Sequence, residues 1–177
     1  MDGLIELAKG GDKEAFIELI ENIKQDLFKI ARTRLSNYED IEDAVQETML
    51  EAFKNIKKLQ KNEKFKTWII TILINKCNKI YRKRKKYNIS FENLEFENHF
   101  FENQIEEYEN ELEFYRLLNI LNYEERIVVM LYYKEDYSIK LISKILKINE
   151  NTIKTRLKRA KEKIKRFYER NELEWIK

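Results

Sequence analysis

Proline is absent from this sequence, and its three glycines all fall within the first eleven residues. After Gly11 the chain therefore lacks the residues that interrupt helices, and few places could host a tight β-hairpin. Cysteine occurs once, as Cys77, which excludes an internal disulfide framework and points to a reducing, cytosolic setting. Histidine also occurs once, as His99. With one His, one Cys, no glycine-rich phosphate loop and no metal-ligand spacing, no catalytic residue, cofactor or metal is expected. There is no apolar run long enough to span a bilayer and no charged-then-apolar leader. No membrane partner is expected, and a cytoplasmic location is.

What is present is charge, unevenly spread. Charged residues make up 38% of the 177 positions, yet the net charge is only +3. Residues 76–86 hold seven Lys or Arg and no acid. Residues 87–113 hold nine Glu and no Lys or Arg. Residues 152–170 hold nine Lys or Arg against Glu162 and Glu169. Two cationic modules flanking an anionic stretch suggest a nucleic-acid partner touched in two places, with the middle kept away from it.

The apolar residues recur at helical spacing. Asp12 is placed to cap a helix carrying Phe16, Leu19, Ile20, Ile23, Leu27 and Ile30. A second helix is expected from about Tyr38, with Ile41, Ala44, Val45, Met49, Ala52, Phe53 and Ile56 on one face. A polar loop over 57–64 separates it from a third, around Phe65, Trp68, Ile69, Ile72, Leu73 and Ile80, with Trp68 in the apolar stripe and hence in the core. These three form a bundle over 1–86. Residues 87–110 show no steady period and are expected to link it to a second helical domain over 111–177. There Asn122 and Glu125 have the spacing of a capping box. Helices over Ser138–Leu146 and from Asn149 to about Arg170 give a helix-turn-helix, with Ile148 and Ile153 as a hydrophobic staple. The expected fold class is all-α, two small helical domains joined by an acidic linker.

On the last helix Ile153, Leu157, Ala160, Ile164 and Phe167 line one face, and Lys154, Thr155, Lys158, Lys161 and Lys165 the opposite one. A lysine-rich helix serves equally as a solvated end. Lysine alone grips phosphates; Asn151, Thr155, Arg156 and Arg159 have side chains able to hydrogen-bond base edges. In the same way Asp40, Asp43, Gln46 and Glu47 share one side of the second helix, which reads either as a solvated acidic face or as a docking stripe.

Two motifs carry a resemblance that bears on both choices. "YSIKLISKILKINENTIKTRLKRAKEKIK" (137–165) resembles the fourth region of bacterial sigma factors, especially the small extracytoplasmic-function (ECF) type. Thr152, Ile153, Lys154, Thr155, Arg156, Arg159 and Ala160 fit its pattern. Upstream, "YEDIEDAVQETMLEAF" (38–53) and "FKTWIITILINKCNKIYRKRKK" (65–86) resemble the paired helices of the second region. Departures are local: Lys147 and Asn151 stand where the family usually has glycine, and Lys140 and Leu141 where two acids are usual.

The resemblance implies an alternative sigma factor that binds core RNA polymerase and directs it to promoter DNA. Domain 1–86 would dock on the β′ clamp through Asp40, Asp43, Gln46 and Glu47. It would meet the minus-10 element through Lys57, Lys61, Asn62, Lys64, Asn75, Arg82 and Arg84, with a base extruded near the 57–64 loop. Domain 111–177 would read the minus-35 element through Asn151, Thr152, Lys154, Thr155, Arg156, Lys158 and Arg159, and touch the β flap through apolar residues near Leu118 and Leu121. An anti-sigma factor is a further partner the resemblance allows. Alternatives are a stand-alone helix-turn-helix regulator, or the related subgroup that drives toxin and bacteriocin genes.

Overall fold

The structure is a computed structural model that describes residues 1–86 and 105–174, with side chains over 1–86 and 113–170. All regular elements among the described residues are helical. The chain divides into two compact units, one within Met1–Glu92 and one within Asn93–Lys177.

The first unit holds α1 (Asp2–Gly10), α2 (Lys13–Glu21), α3 (Lys24–Arg32), α4 (Tyr38–Asn55) and α5 (Phe65–Lys86). Its starts are set by side-chain caps. The Asp12 carboxylate accepts from the Glu14 and Ala15 amides at 2.9 and 3.0 Å, and Asn37 accepts from Asp40 N–H. The sequence pattern left α1 unmarked; Gly11, at φ 104°, ends it by returning its N–H to Leu7 and Ala8. The single helix expected from Asp12 is two, because Ile23 leaves helical dihedrals (φ −124°, ψ −4°) while staying buried. Periodicity spans that break, since Ile20, Ile23 and Leu27 face the core on both sides of it.

The middle of this unit is α5. Phe65, Ile69, Ile70, Ile72, Leu73, Ile74 and Cys77 are all buried, and α3 and α4 pack against them. Burying one such side chain contributes about 1.5–3 kcal/mol, so this row is a large share of the unit's stability. Trp68, expected in the core, is half-buried beside Phe65, with ring centroids 6.1 Å apart. Ile70 and Ile74 occupy the interior instead, because α5 is enclosed on more than one side.

The second unit holds α6 (Ile105–Ile120), α7 (Tyr123–Val129), α8 (Ile139–Leu146) and α9 (Glu150–Glu174), with a π-helical turn over Met130–Lys134. α6 begins within the stretch expected as linker; the remainder of that stretch, 87–104 with His99, lies outside the described residues. The capping box forms: Asn122 accepts from Glu124 and Glu125 N–H, and Glu125 accepts from Asn122 N–H. The Glu125 carboxylate is 2% exposed and also accepts from Lys163 Nζ at 2.7 Å, tying α7 to α9. Arg126 Nε donates to the Leu118 and Leu121 carbonyls, closing the end of α6. Leu118 and Leu121 sit in the core with Tyr115, Val129 and Ala160. Leu118 and Leu121 themselves face inward, so the apolar flap contact expected near them does not use these two side chains.

The helix-turn-helix is α8, a turn at Lys147–Asn149, and α9. Ser138 caps α8 on Leu141 N–H, and Asn149 accepts from Asn151 N–H at 2.7 Å ahead of α9. Lys147 takes the left-handed conformation (φ 55°, ψ 43°), and Ile148 N–H returns to Ser143 O. The missing glycine thus changes the residue, not the turn.

A side chain at a left-handed position strains the backbone, so Lys147→Gly raises stability by about 0.5–1 kcal/mol in urea unfolding with an unchanged slope. The second expectation concerns Cys77. Its burial pushes the thiol from an ordinary value of 9.0 up to about 12. The unfolded chain then releases this proton first, so the contribution to stability falls as the pH rises past 9 towards 12. In the native protein at pH 8 Cys77 reacts with a disulfide probe only at the unfolding rate, and a fast reaction would contradict its burial.

Candidate nucleic-acid interface

α9 presents the residues expected to meet DNA. Ile153 and Ala160 anchor it inward, each at most 1% exposed. Asn151, Thr152, Lys154, Thr155, Lys158 and Arg159 are exposed along its outer side. Thr155 Oγ1 donates to Asn151 O at 2.8 Å, which holds its hydroxyl against the helix and leaves oxygen lone pairs outward. Arg156 differs from the others: it is half-buried, and its guanidinium meets Glu124 at 2.8 Å. Glu124 stands in the first turn of α7, where no sequence signal beyond the cap marked it as a partner of α9.

In the first unit Asp43, Gln46 and Glu47 are exposed on α4, and Asp40 is half-buried. Asp40 forms an ion pair with Arg84, so one residue expected to face protein and one expected to face DNA hold each other. Two or more turns away along the same pair of helices, Lys76 of α5 reaches Glu51 at 2.7 Å and Glu47 at 3.2 Å. The Glu51 hydrogen bond, followed by that of Glu47, raises the lysine's pKa against the opposing effect of burial. The periodicity of α5 placed Lys76 only in a basic cluster; its pairing depends on how α5 lies on α4.

The 57–64 segment is a pair of 3-10 turns, Ile56–Lys58 and Asn62–Lys64. Lys57, Lys61 and Lys64 are exposed on it, Lys61 with Glu63 at 3.8 Å. Asn62 is half-buried, with its side chain directed at α1. Its Oδ1 accepts from Lys9 Nζ at 2.6 Å and its Nδ2 donates to Glu6 at 2.6 Å. Further along α5, Asn75 and Arg82 are exposed while Arg84 is half-buried. The structure thus brings Lys57, Lys61 and Lys64 together on one loop and sets Arg82 and Arg84 near the far end of the 22-residue α5. Among the described residues no His, Cys, Asp and Glu cluster suits a metal ion, and no helix is long and apolar enough to cross a membrane.

Comparison with known proteins falls on both units. The family profile of sigma-70 region 2 matches residues 19–87, and that of sigma-70 region 4 matches residues 111–164. The chain is 29% identical over 148 residues to RNA polymerase sigma factor SigV of Bacillus subtilis, covering 84% of this chain and 87% of that one. It is 29% identical over 174 residues to the ECF RNA polymerase sigma factor SigW of the same organism, covering 92% and 93%. Its fold is similar to the sigma factor RpoE of Bartonella quintana, solved in complex with the anti-sigma factor NepR (TM-score 0.70, 21% identity, 87% of this chain and 96% of that chain).

The Asp40–Arg84 pair gives a direct expectation. Each side chain is at most a quarter exposed, so a double-mutant cycle with Asp40→Asn and Arg84→Met should return a coupling of about 0.5–1 kcal/mol at low salt. A coupling of zero would mean the pair does not form in solution.

Proposed function

This chain belongs to the sigma-70 family as an alternative sigma factor of the ECF type that directs transcription initiation, and on that premise we propose which of its surfaces does what. The outer side of α9 reads the minus-35 element in the major groove. The observation that carries this is the exposure of Asn151, Thr152, Lys154, Thr155, Lys158 and Arg159 together on one helix, whose other side is pinned by Ile153 and Ala160. Arg159 and Asn151 offer donors to base edges; Lys154 and Lys158 neutralise phosphates. Arg156 keeps its guanidinium on Glu124 and so serves a phosphate from a fixed position instead of a base.

Residues 1–86 dock on the polymerase clamp through the exposed side of α4, where Asp43, Gln46 and Glu47 stand outermost. A carboxylate stripe there steers encounter with a basic surface. The same unit meets the minus-10 strand through Lys57, Lys61 and Lys64, with Asn75 and Arg82 along α5. Extruding a base costs a few kcal/mol, which neutralised phosphates and stacking offset. Asn62 takes no part in base contact, since both ends of its amide are engaged by α1. Arg84 reaches a phosphate only after leaving Asp40. The polymerase supplies all bond-making chemistry, in the cytoplasm, and the chain contributes recognition alone. An anti-sigma protein is a further partner, extended from the complex in which the RpoE relative was solved.

Run-off transcription with purified core polymerase over genomic fragments tests this reading. The unsubstituted chain should yield discrete promoter-dependent transcripts. Arg159→Ala should cost about 1–3 kcal/mol at one base pair and relax preference there, whereas Lys165→Ala should weaken all promoters alike and lower the salt slope by about one. DNA binding that is sequence-specific without polymerase, and no transcripts with it, would instead favour a stand-alone regulator.

A further inference from the structure

α1 lies outside the residues matched by the family profiles, which begin at residue 19, yet it is bonded directly to the loop assigned above to minus-10 contact. The loop is fixed at its two ends by buried apolar residues, Leu59 before it and Phe65 after it. Between those anchors Gln60, Lys61, Glu63 and Lys64 are exposed, and Asn62 is the residue that crosses to another helix. Its amide is used at both ends. Lys9 Nζ donates to Oδ1, Nδ2 donates to Glu6 Oε1, and Lys9 Nζ reaches the same Glu6 oxygen at 3.3 Å. The three side chains close a ring in which each member fixes the other two. The lowered pKa of Glu6, caused first by the Asn62 hydrogen bond and next by that of Lys9, is consistent with a carboxylate held in this ring. α1 itself is pinned by Ile5 and Ala8, both buried, so the ring transmits the position of a packed helix to the loop. An open depression runs between them, with Asp2 on the helix side and Gln60 and Glu63 on the loop side.

We infer that Glu6 and Lys9 are positioning residues for promoter opening, holding through Asn62 the one loop shape from which Lys61 and Lys64 meet the extruded minus-10 strand. The inference rests on the assignment of this loop to the minus-10 element. The physical reason for such a device is the small number of anchors the loop has of its own. A segment anchored only at Leu59 and Phe65 keeps several backbone conformations, and lysines spread over them meet a flipped nucleotide in few. A recognition site loses selectivity when its supporting residues are left loose. Neither Glu6 nor Lys9 touches DNA in this arrangement, and Lys9 spends its charge inside the ring.

The test uses the full-length chain with core polymerase. Its templates are a promoter recovered by run-off mapping and versions of it with single minus-10 base pairs changed. Opening is read by permanganate reactivity of the melted thymines, holoenzyme assembly by gel shift, and folding by urea midpoint. Asn62→Ala and Lys9→Met are expected to lower opening about tenfold and to flatten discrimination among the minus-10 variants, with assembly and folding midpoint retained. Glu6→Gln, which keeps the oxygen that accepts from Asn62, should recover most of the loss seen with Glu6→Ala. Folded Asn62→Ala with opening and discrimination unchanged overturns the inference; should that variant not fold, Lys9→Met decides in the same way. Lys61→Ala and Lys64→Ala serve as the control on the underlying reading. If they leave opening untouched, the loop does not contact the minus-10 strand, and that assignment falls first, taking the inference with it.

Discussion

Enclosure of α5 is the constraint on which the first unit depends. Its residues from Phe65 to Cys77 are apolar on more than one side, and such a helix is stable only where others cover it. Once α3 and α4 close over it, the polar residues of α5 have few directions left. Lys76 is carried to Glu47 and Glu51, and Arg84 to Asp40. The charged surface of this unit follows from packing: the same interface that buries Ile69, Leu73 and Cys77 sets which carboxylates of α4 are engaged and which remain exposed.

The second unit solves a different problem with similar means. α8 is eight residues long and α7 seven, too short to be stable alone, so both rely on caps and on the longer α9. The buried Glu125 does two jobs, capping α7 and pairing with Lys163. Burying a carboxylate is tolerable only because both partners are present. The left-handed turn at Lys147 then sets the direction in which α9 leaves, and with it which residues face outward. In both units, the residues proposed for recognition are exposed because their neighbours in sequence are buried.

Much of this was legible in the residues. The helices from Tyr38 and Phe65, the Asn122–Glu125 capping box and the α8–turn–α9 motif follow from local rules of period, cap and turn, which neighbours in space do not alter. The position of the turn was legible from the staple residue and Asn cap that flank it, but its left-handed conformation at Lys147 was not, since no glycine marks it. What failed to show were features that depend on enclosure. The break at Ile23 keeps the apolar period intact and so leaves no trace in it. Trp68 shares the stripe of Ile69 and Ile72 but sits at its margin. Leu118 and Leu121 offered an apolar patch by composition, and only the fold turned it inward. α1 had a short apolar stripe and no strong start signal.

Composition and spacing alone set the helical character of the chain, the two cationic modules on either side of an acidic stretch, and the presence on one helix of Arg, Asn and Thr together with Lys. These are properties of composition and spacing, fixed before any contact forms. Which polar side chains engage one another was left to the packing of the helices: Asp40 with Arg84, Arg156 with Glu124, and Asn62 with Glu6 and Lys9. Such pairs join residues 32 to 56 positions apart in the chain. No local period encodes a partner at that separation, because it is set by how the helices pack.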